Sequence, residues 1–268
     1  MLGPFGRTGA PDHRPGSPVV LRLEAIELCR GRRVVLSDVS LDLGAGEHVA
    51  VRGANGSGKT TLLRAVANVA PPRRGRRVGS PTCAYVPAAL DPPKLSVRRW
   101  LAGVGPPGGD VDPALRALAF DGRTARPVAD LSFGNLRKLL LARAFSSSAG
   151  LIVIDEAHAG LDEAGREGLA RLVTAAQARG AAVVLCAQDG EPAAGADRVV
   201  RTEHGRLVVS EPGVGSVSWG SVSWGSVSSG SVPSRALSSV TCTGPPETIA
   251  RLTALAAELG VHVQANEP

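Results

Sequence analysis

The residues Gly53-Ala54-Asn55-Gly56-Ser57-Gly58-Lys59-Thr60 carry the spacing G-x-x-x-x-G-K-T of a phosphate-binding loop. Glycines let successive backbone N–H groups turn inward around phosphate oxygens, and a helix starting behind them adds the positive end of its dipole. The flanks fit that chemistry. The apolar run Val49-Ala50-Val51 precedes the loop and Thr61-Leu62-Leu63-Arg64-Ala65-Val66 follows it, so a buried strand is expected to turn into a helix here. Glycine-rich strand-to-helix turns also exist that bind nothing, but they do not require a lysine and a hydroxyl at these two places. Lys59 is expected between the β- and γ-phosphates of a nucleotide and the Thr60 hydroxyl on Mg2+. Gly53, Asn55, Gly56, Ser57, Gly58 and Thr61 complete the expected binding set.

The elements around the loop alternate. Val19 to Leu28 is β-rich, and Val34-Val35-Leu36 with Val39-Ser40-Leu41-Asp42-Leu43 suggests further strands before the Gly44-Ala45-Gly46 turn. The helix after Thr60 should stop near Asn68 to Pro72, where Pro71-Pro72 cannot continue it. Cys83 to Pro87 reads as a strand ended by proline, and Val97 to Ala102 and Pro113 to Phe120 as short helices of a small insertion with a loose middle. Leu131 to Phe145 has helical spacing with Ser132 as its cap, and Leu151 to Ile154 is an apolar run suited to a parallel strand covered on both faces. Glu163 to Ala178 reads as helix and Ala181 to Ala187 as a buried strand. The expected fold class is therefore α/β: a layered P-loop NTPase sheet with a short helical insertion at about 88–145 and an appended C-terminal segment.

Outside this block the texture changes. Residues 1–18 combine Gly, Pro and Arg with no apolar signal-peptide core and read as a disordered leader. The nucleotide-binding domain is expected at 19–209. Within 210–235 a Gly-Ser-Val-Ser unit recurs every five residues, neither a strand nor a helix period, and reads as a low-complexity linker. Residues 236–268 read as a small appendage, one helix from Pro246 to Leu259 and then the strand Val261-His262-Val263.

Composition excludes several classes of function. No apolar run reaches the ~18 residues of a membrane span, so membrane contact is expected through a partner. Arg73-Arg74-Gly75-Arg76-Arg77 is read as a solvated arginine face, and with aromatics at 3% there is no stacking surface for single-stranded nucleic acid. Cys29, Cys83, Cys186 and Cys242 have no metal-ligand spacing and read as small buried thiols.

Taken together, residues 20 to 209 resemble the ATP-binding cassette (ABC) ATPases. Leu151-Ile152-Val153-Ile154-Asp155-Glu156 looks like that family's Walker B strand. The resemblance implies that Asp155 holds Mg2+ through water and that Glu156 polarises the attacking water. Ala159-Gly160-Leu161-Asp162 is similar to the family's D-loop, and Leu131-Ser132-Phe133-Gly134-Asn135 to its signature, usually L-S-G-G-Q. By that resemblance Ser132 and Gly134 reach a nucleotide bound by a second cassette, in a homodimer or a heterodimer, and Gln188 stands where relatives place a switch histidine. The implied cofactors are ATP and Mg2+, and the implied location is cytoplasmic, peripheral to the inner face of the cell membrane beside a transmembrane permease.

The sequence departs from that pattern in several places. Ala88 replaces a Mg2+-touching glutamine, Phe133 a signature glycine and Asn135 a longer amide, and Cys29-Arg30 stands where relatives stack an aromatic on adenine. The expected function is an ATP-binding, slowly ATP-hydrolysing subunit that powers a separate transporter. The alternatives are a soluble non-transport ABC ATPase and a regulatory nucleotide-binding subunit with little hydrolysis. Deleting residues 213–268 is expected to leave nucleotide affinity unchanged, which titration of the truncated and full chains with Mg-ATP checks.

Overall fold

In a computed structural model that describes residues 17–103, 110–122, 124–186, 195–210, 240–242 and 263–265, the apolar runs become strands of separate sheets. The chain divides into two units, Met1–Ser218 and Trp219–Pro268. The first opens with β1 (Val19–Arg30) and β2 (Arg33–Gly44), an antiparallel hairpin. Next come β3 (His48–Arg52), α1 (Lys59–Val66), β4 (Arg74–Val78) and β5 (Cys83–Val86). Helices α2 (Val97–Gly103) and α3 (Asp112–Ala117) lead through a 3-10 turn at Val128–Asp130 to α4 (Phe133–Ser146). The series ends with β6 (Leu151–Ile154), α5 (Glu163–Ala178), β7 (Ala182–Cys186), β8 (Arg198–Glu203) and β9 (Arg206–Ser210).

The central sheet has the order β5-β6-β7-β3-β8-β9. Its first five strands run parallel and β9 returns antiparallel to β8. Because successive side chains on a strand point to opposite faces, an uninterrupted apolar strand must be covered twice. Ile152 and Ile154 of β6 and Val183 and Leu185 of β7 enter a core shared with the helices α2 to α5. Their neighbours Leu151, Val153, Ala182, Val184 and Cys186 enter the other core, with α1 and the hairpin residues Leu21, Leu23, Leu41 and Leu43. α1 is thus held between the central sheet and a second, three-stranded antiparallel sheet of order β2-β1-β4.

Two strand assignments go beyond the sequence reading. Residues 74–77 of the arginine cluster lie in β4, an edge strand whose register faces Glu24 with Arg76 and Glu27 with Arg74. Arg76 Nη2 lies 2.8 Å from Glu24 and Arg73 Nη1 3.5 Å from Glu27. Exposed pairs of this kind contribute about 0–1 kcal/mol each, so they guide the register more than they stabilise the fold. The hairpin β8–β9 turns at His204 and Gly205, both with positive φ, the conformation of a two-residue primed turn.

The start of the central sheet is tied by buried charge. Arg198 Nη2 sits 3.0 Å from Glu47 Oε1 and also donates to the Asp42 carbonyl, while Glu47 Oε2 accepts the Gly44 N–H at 2.8 Å. This joins β8, the end of β2 and the residue before β3. In the second unit the described residues form β10 (Val240–Cys242) and β11 (Val263–Ala265), paired in parallel. The leader to residue 16, most of the linker and the expected helix Pro246 to Leu259 lie outside the described residues. Among the described residues no helix is long and apolar enough to cross a membrane.

Loss of one member of a buried ion pair typically costs about 3–5 kcal/mol, and Arg198 is bonded to both Glu47 and the Asp42 carbonyl. Arg198→Met is therefore expected to lower unfolding free energy by about that amount, read as a shifted urea midpoint with an unchanged slope.

Candidate functional site

The parallel pairing of β3, β6 and β7 brings their carboxyl ends to one edge of the sheet, with β7 in the middle. From the end of β3 the loop 53–58 runs into α1, whose first residue is Lys59. Gly53 has φ +144 and Gly58 φ +105, conformations that residues with a Cβ rarely adopt. At Gly53 a Cβ would also lie 2.3 Å from Thr202 Oγ1 and 2.8 Å from Ser57 Oγ. Those two hydroxyls share a 2.6 Å hydrogen bond, and Thr202 Oγ1 donates to the Arg52 carbonyl at 3.2 Å. Thr202, on β8, therefore braces the loop from behind. Lys59 Nζ donates to the carbonyls of Gly53 at 2.5 Å and Ala54 at 3.0 Å, inside its own loop. Asn55, Gly56 and Thr60 are exposed, and Ser57, Gly58 and Thr61 half-buried.

At the end of β6, Asp155 is 1% exposed and its Oδ2 has no hydrogen-bond partner among the described residues. Glu156 is exposed beside it with φ +52, a left-handed conformation uncommon outside glycine. The thiol of Cys186, at the end of β7, feels both motifs. Burial pushes it up to about 11, the Asp155 charge acts in the same direction, and the Lys59 charge opposes them. It stays a neutral thiol near pH 7. Burial likewise pushes Tyr85 up to about 12, with Asp155 the next contributor.

This donor set fits a hydrated magnesium ion bound beside phosphates. Mg2+ takes oxygen ligands, keeps several waters, and uses one or two carboxylates plus substrate oxygens. The buried, unpartnered Asp155 oxygen and the exposed Thr60 hydroxyl at the start of α1 are of that kind.

The signature-like turn is built on the segment that follows Glu156. Ser132 Oγ caps α4 by accepting the Asn135 N–H at 3.2 Å. Gly134 is the contact point: a Cβ there would stand 2.7 Å from the Gly160 carbonyl, and the Phe133 ring covers Gly160. Phe133 itself is 57% exposed. Lys138 Nζ reaches Asp162 Oδ2 at 3.0 Å and the Ala119 carbonyl at 3.0 Å, and Asp162 Oδ1 caps α5 by accepting the Gly165 N–H at 2.9 Å. The Lys138 hydrogen bond, then the Gly165 amide, hold the Asp162 carboxyl below its ordinary range.

The loop and the acidic pair therefore share one edge of the sheet, whereas Gly134 has Gly160 as its close neighbour. Ala88 is half-buried just beyond β5, Arg30 is exposed, and Gln188 lies outside the described residues. Sequence reasoning missed Thr202, Cys186 and Arg137. Arg137 is 2% exposed and donates to the carbonyls of Pro87, Asp155 and Glu156. A clue was present in the two cations Arg137-Lys138 set against the apolar run 139–142 of one helix. Nothing near Thr202 in sequence marks its role.

The ABC transporter family model matches residues 36–159. The zinc import ATP-binding protein ZnuC 2 of Hahella chejuensis is 35% identical over 167 residues, which span 59% of this chain and 68% of that protein. The cytochrome c biogenesis ATP-binding export protein CcmA of Maricaulis maris is 35% identical over 189 residues, 65% of this chain and 88% of its own length. Among solved structures, a dimeric ATP-binding cassette in a post-hydrolysis state with ADP and Pi has a TM-score of 0.62 at 19% identity, over 71% of this chain and 98% of that one. That likeness is one of fold.

Thr202→Val keeps the volume of the brace and removes its hydroxyl, which takes one hydrogen bond from Ser57 and one from the Arg52 carbonyl. We expect a loss of about 1–3 kcal/mol in chemical denaturation, together with faster amide exchange across residues 53–58.

Proposed function

This chain belongs to the ABC transporter family of ATP-binding proteins, and on that premise we propose that it is the ATP-hydrolysing subunit of a transporter whose membrane-spanning part is a separate chain. The observation that carries the reading is that the phosphate loop leaves the end of β3 and the acidic pair the end of β6 at one edge of the sheet, on either side of β7, with Glu156 exposed. Residues 19–209 form the nucleotide-binding domain in this reading. The turned-in amides of residues 53–58, with Thr61 behind them, bind the triphosphate. Lys59 leaves the loop carbonyls and takes up the β- and γ-phosphates. Thr60 and Asp155 hold Mg2+, which neutralises charge on the phosphate oxygens. Glu156 orients a water in line with the γ-phosphorus and accepts its proton as the new P–O bond forms and the bond to the bridging oxygen breaks. Gln188 donates to a γ-phosphate oxygen.

Ser132 and Gly134 head an exposed turn and, in this reading, face the nucleotide of a second cassette, so the active unit is a dimer seated on a permease at the cytoplasmic face of the membrane. The family relatives include an import and an export protein, which fits a motor whose direction is set by its membrane partner. Ala88 brings no oxygen to the magnesium, and the exposed Phe133 keeps a facing phosphate farther from the signature backbone. Both slow the reaction. They also favour a second reading, a regulatory subunit that binds ATP and hardly turns it over.

Glu156→Gln is expected to bind Mg-ATP as the wild type does, to lose about 100-fold or more of its turnover, and to run as a dimer in sizing with ATP. Wild-type turnover no faster than that of Glu156→Gln would leave the regulatory reading in place of the motor.

A further inference from the structure

Arg137 lies one turn into α4 and is almost wholly buried, and every hydrogen bond it makes goes to a backbone carbonyl. Nη1 donates to Pro87 O at 2.7 Å, the residue before Ala88. Nη2 donates to Glu156 O at 2.8 Å and to Asp155 O. Nε has no partner among the described residues. A guanidinium withdrawn from water is tolerated where its donors are taken up, and its rigid fork can hold several acceptors at fixed angles. Here the acceptors are the carbonyls of the residues just past the ends of two strands, β5 and β6. Two of them are consecutive carbonyls turned toward one group, which matches the left-handed φ of +52 at Glu156.

The same helix carries the Ser132 cap and, at Gly134, the contact with Gly160. It also carries Lys138, bonded to Asp162. A shift of α4 therefore pulls on both ends of the segment 155–162.

We infer that Arg137 is a positioning residue that passes the placement of the signature helix α4 to the Glu156 carboxylate through the backbone of residues 155 and 156. Engagement of the first turn of α4 by nucleotide on a second cassette then sets the geometry of this chain's own hydrolytic site. The inference rests on the proposed ATPase function, but its structural half can be read without turnover.

The test compares full-length wild type, Arg137→Met, which fills the space without donors, and Arg137→Lys, which keeps the charge and loses the fork. Melting temperature, Mg-ATP affinity, kcat and KM are measured with hydrogen–deuterium exchange. Both variants are expected to bind Mg-ATP within about twofold of wild type and to lose about tenfold or more in kcat with KM nearly unchanged. Exchange should rise at Ala157 and Ala159, whose amides donate to Cys186 O and Glu156 O, while 59–66 and 182–186 keep their protection. In wild type, dimerisation with Mg-ATP should slow exchange across 155–161, and in Arg137→Lys that slowing should vanish although dimers form. Arg137→Lys decides alone if Arg137→Met does not fold. Unchanged exchange at 155–161 in Arg137→Lys, or exchange raised throughout the sheet, overturns the inference. A wild type that binds ATP without hydrolysing it overturns the proposed function instead, and the exchange pattern then decides the role of Arg137.

Discussion

β7 lies between β3 and β6, fully buried and hydrogen-bonded to both in parallel register. That placement fixes the distance between the phosphate loop at the end of β3 and the acidic pair at the end of β6. Parallel strands all finish at one edge, so groups of opposite charge from distant parts of the chain meet there without a local turn between them. The cost is that β6 and β7 can carry no polar side chain before their last residues, since both faces are covered. Asp155 and Glu156 are polar because they stand where the strand has ended.

Buried cations do much of the joining between layers. Arg198 links β8 to Glu47 and to the end of β2, and Arg137 links α4 to β5 and β6. A buried ion is costly to desolvate, and its surroundings recover that cost only with good geometry. Arg198 meets a buried carboxylate and a carbonyl. Arg137 hydrogen-bonds to carbonyls alone; burial pulls its pKa down, and the nearby charges of Asp155 and Glu156 act against that pull. A leucine or methionine would pack such a helix at lower cost. The arginine's distinct contribution is a directed grip on the backbone around the site.

Among the described departures from the family pattern, Phe133 and Arg30 are exposed and Ala88, Cys29 and Asn135 half-buried. The loop, its lysine and threonine, and the acidic pair are intact in type and are brought to one edge. Ala88 lies half-buried just beyond β5, and Phe133 is the exposed first residue of α4.

The local signals were readable because each occupies one short window: glycines and a lysine at fixed offsets, apolar runs with a strand or helix period, an acidic pair after such a run, a serine before α4. The arginine run 73–77 is largely exposed, as a solvated face should be, but its pairing as an edge strand is not legible because Glu24 and Glu27 lie on another strand. The turn at His204-Gly205 leaves a single trace in the sequence, the glycine at its second position. So the amino-acid sequence by itself determined the α/β alternation, the phosphate loop and the identity of the acidic pair. Only tertiary structure decided the strand order β5-β6-β7-β3-β8-β9, the brace of Thr202 behind Gly53 and the grip of Arg137 on residues 87, 155 and 156. Those contacts join residues far apart along the chain, and no pattern in a short window records which strands will lie side by side.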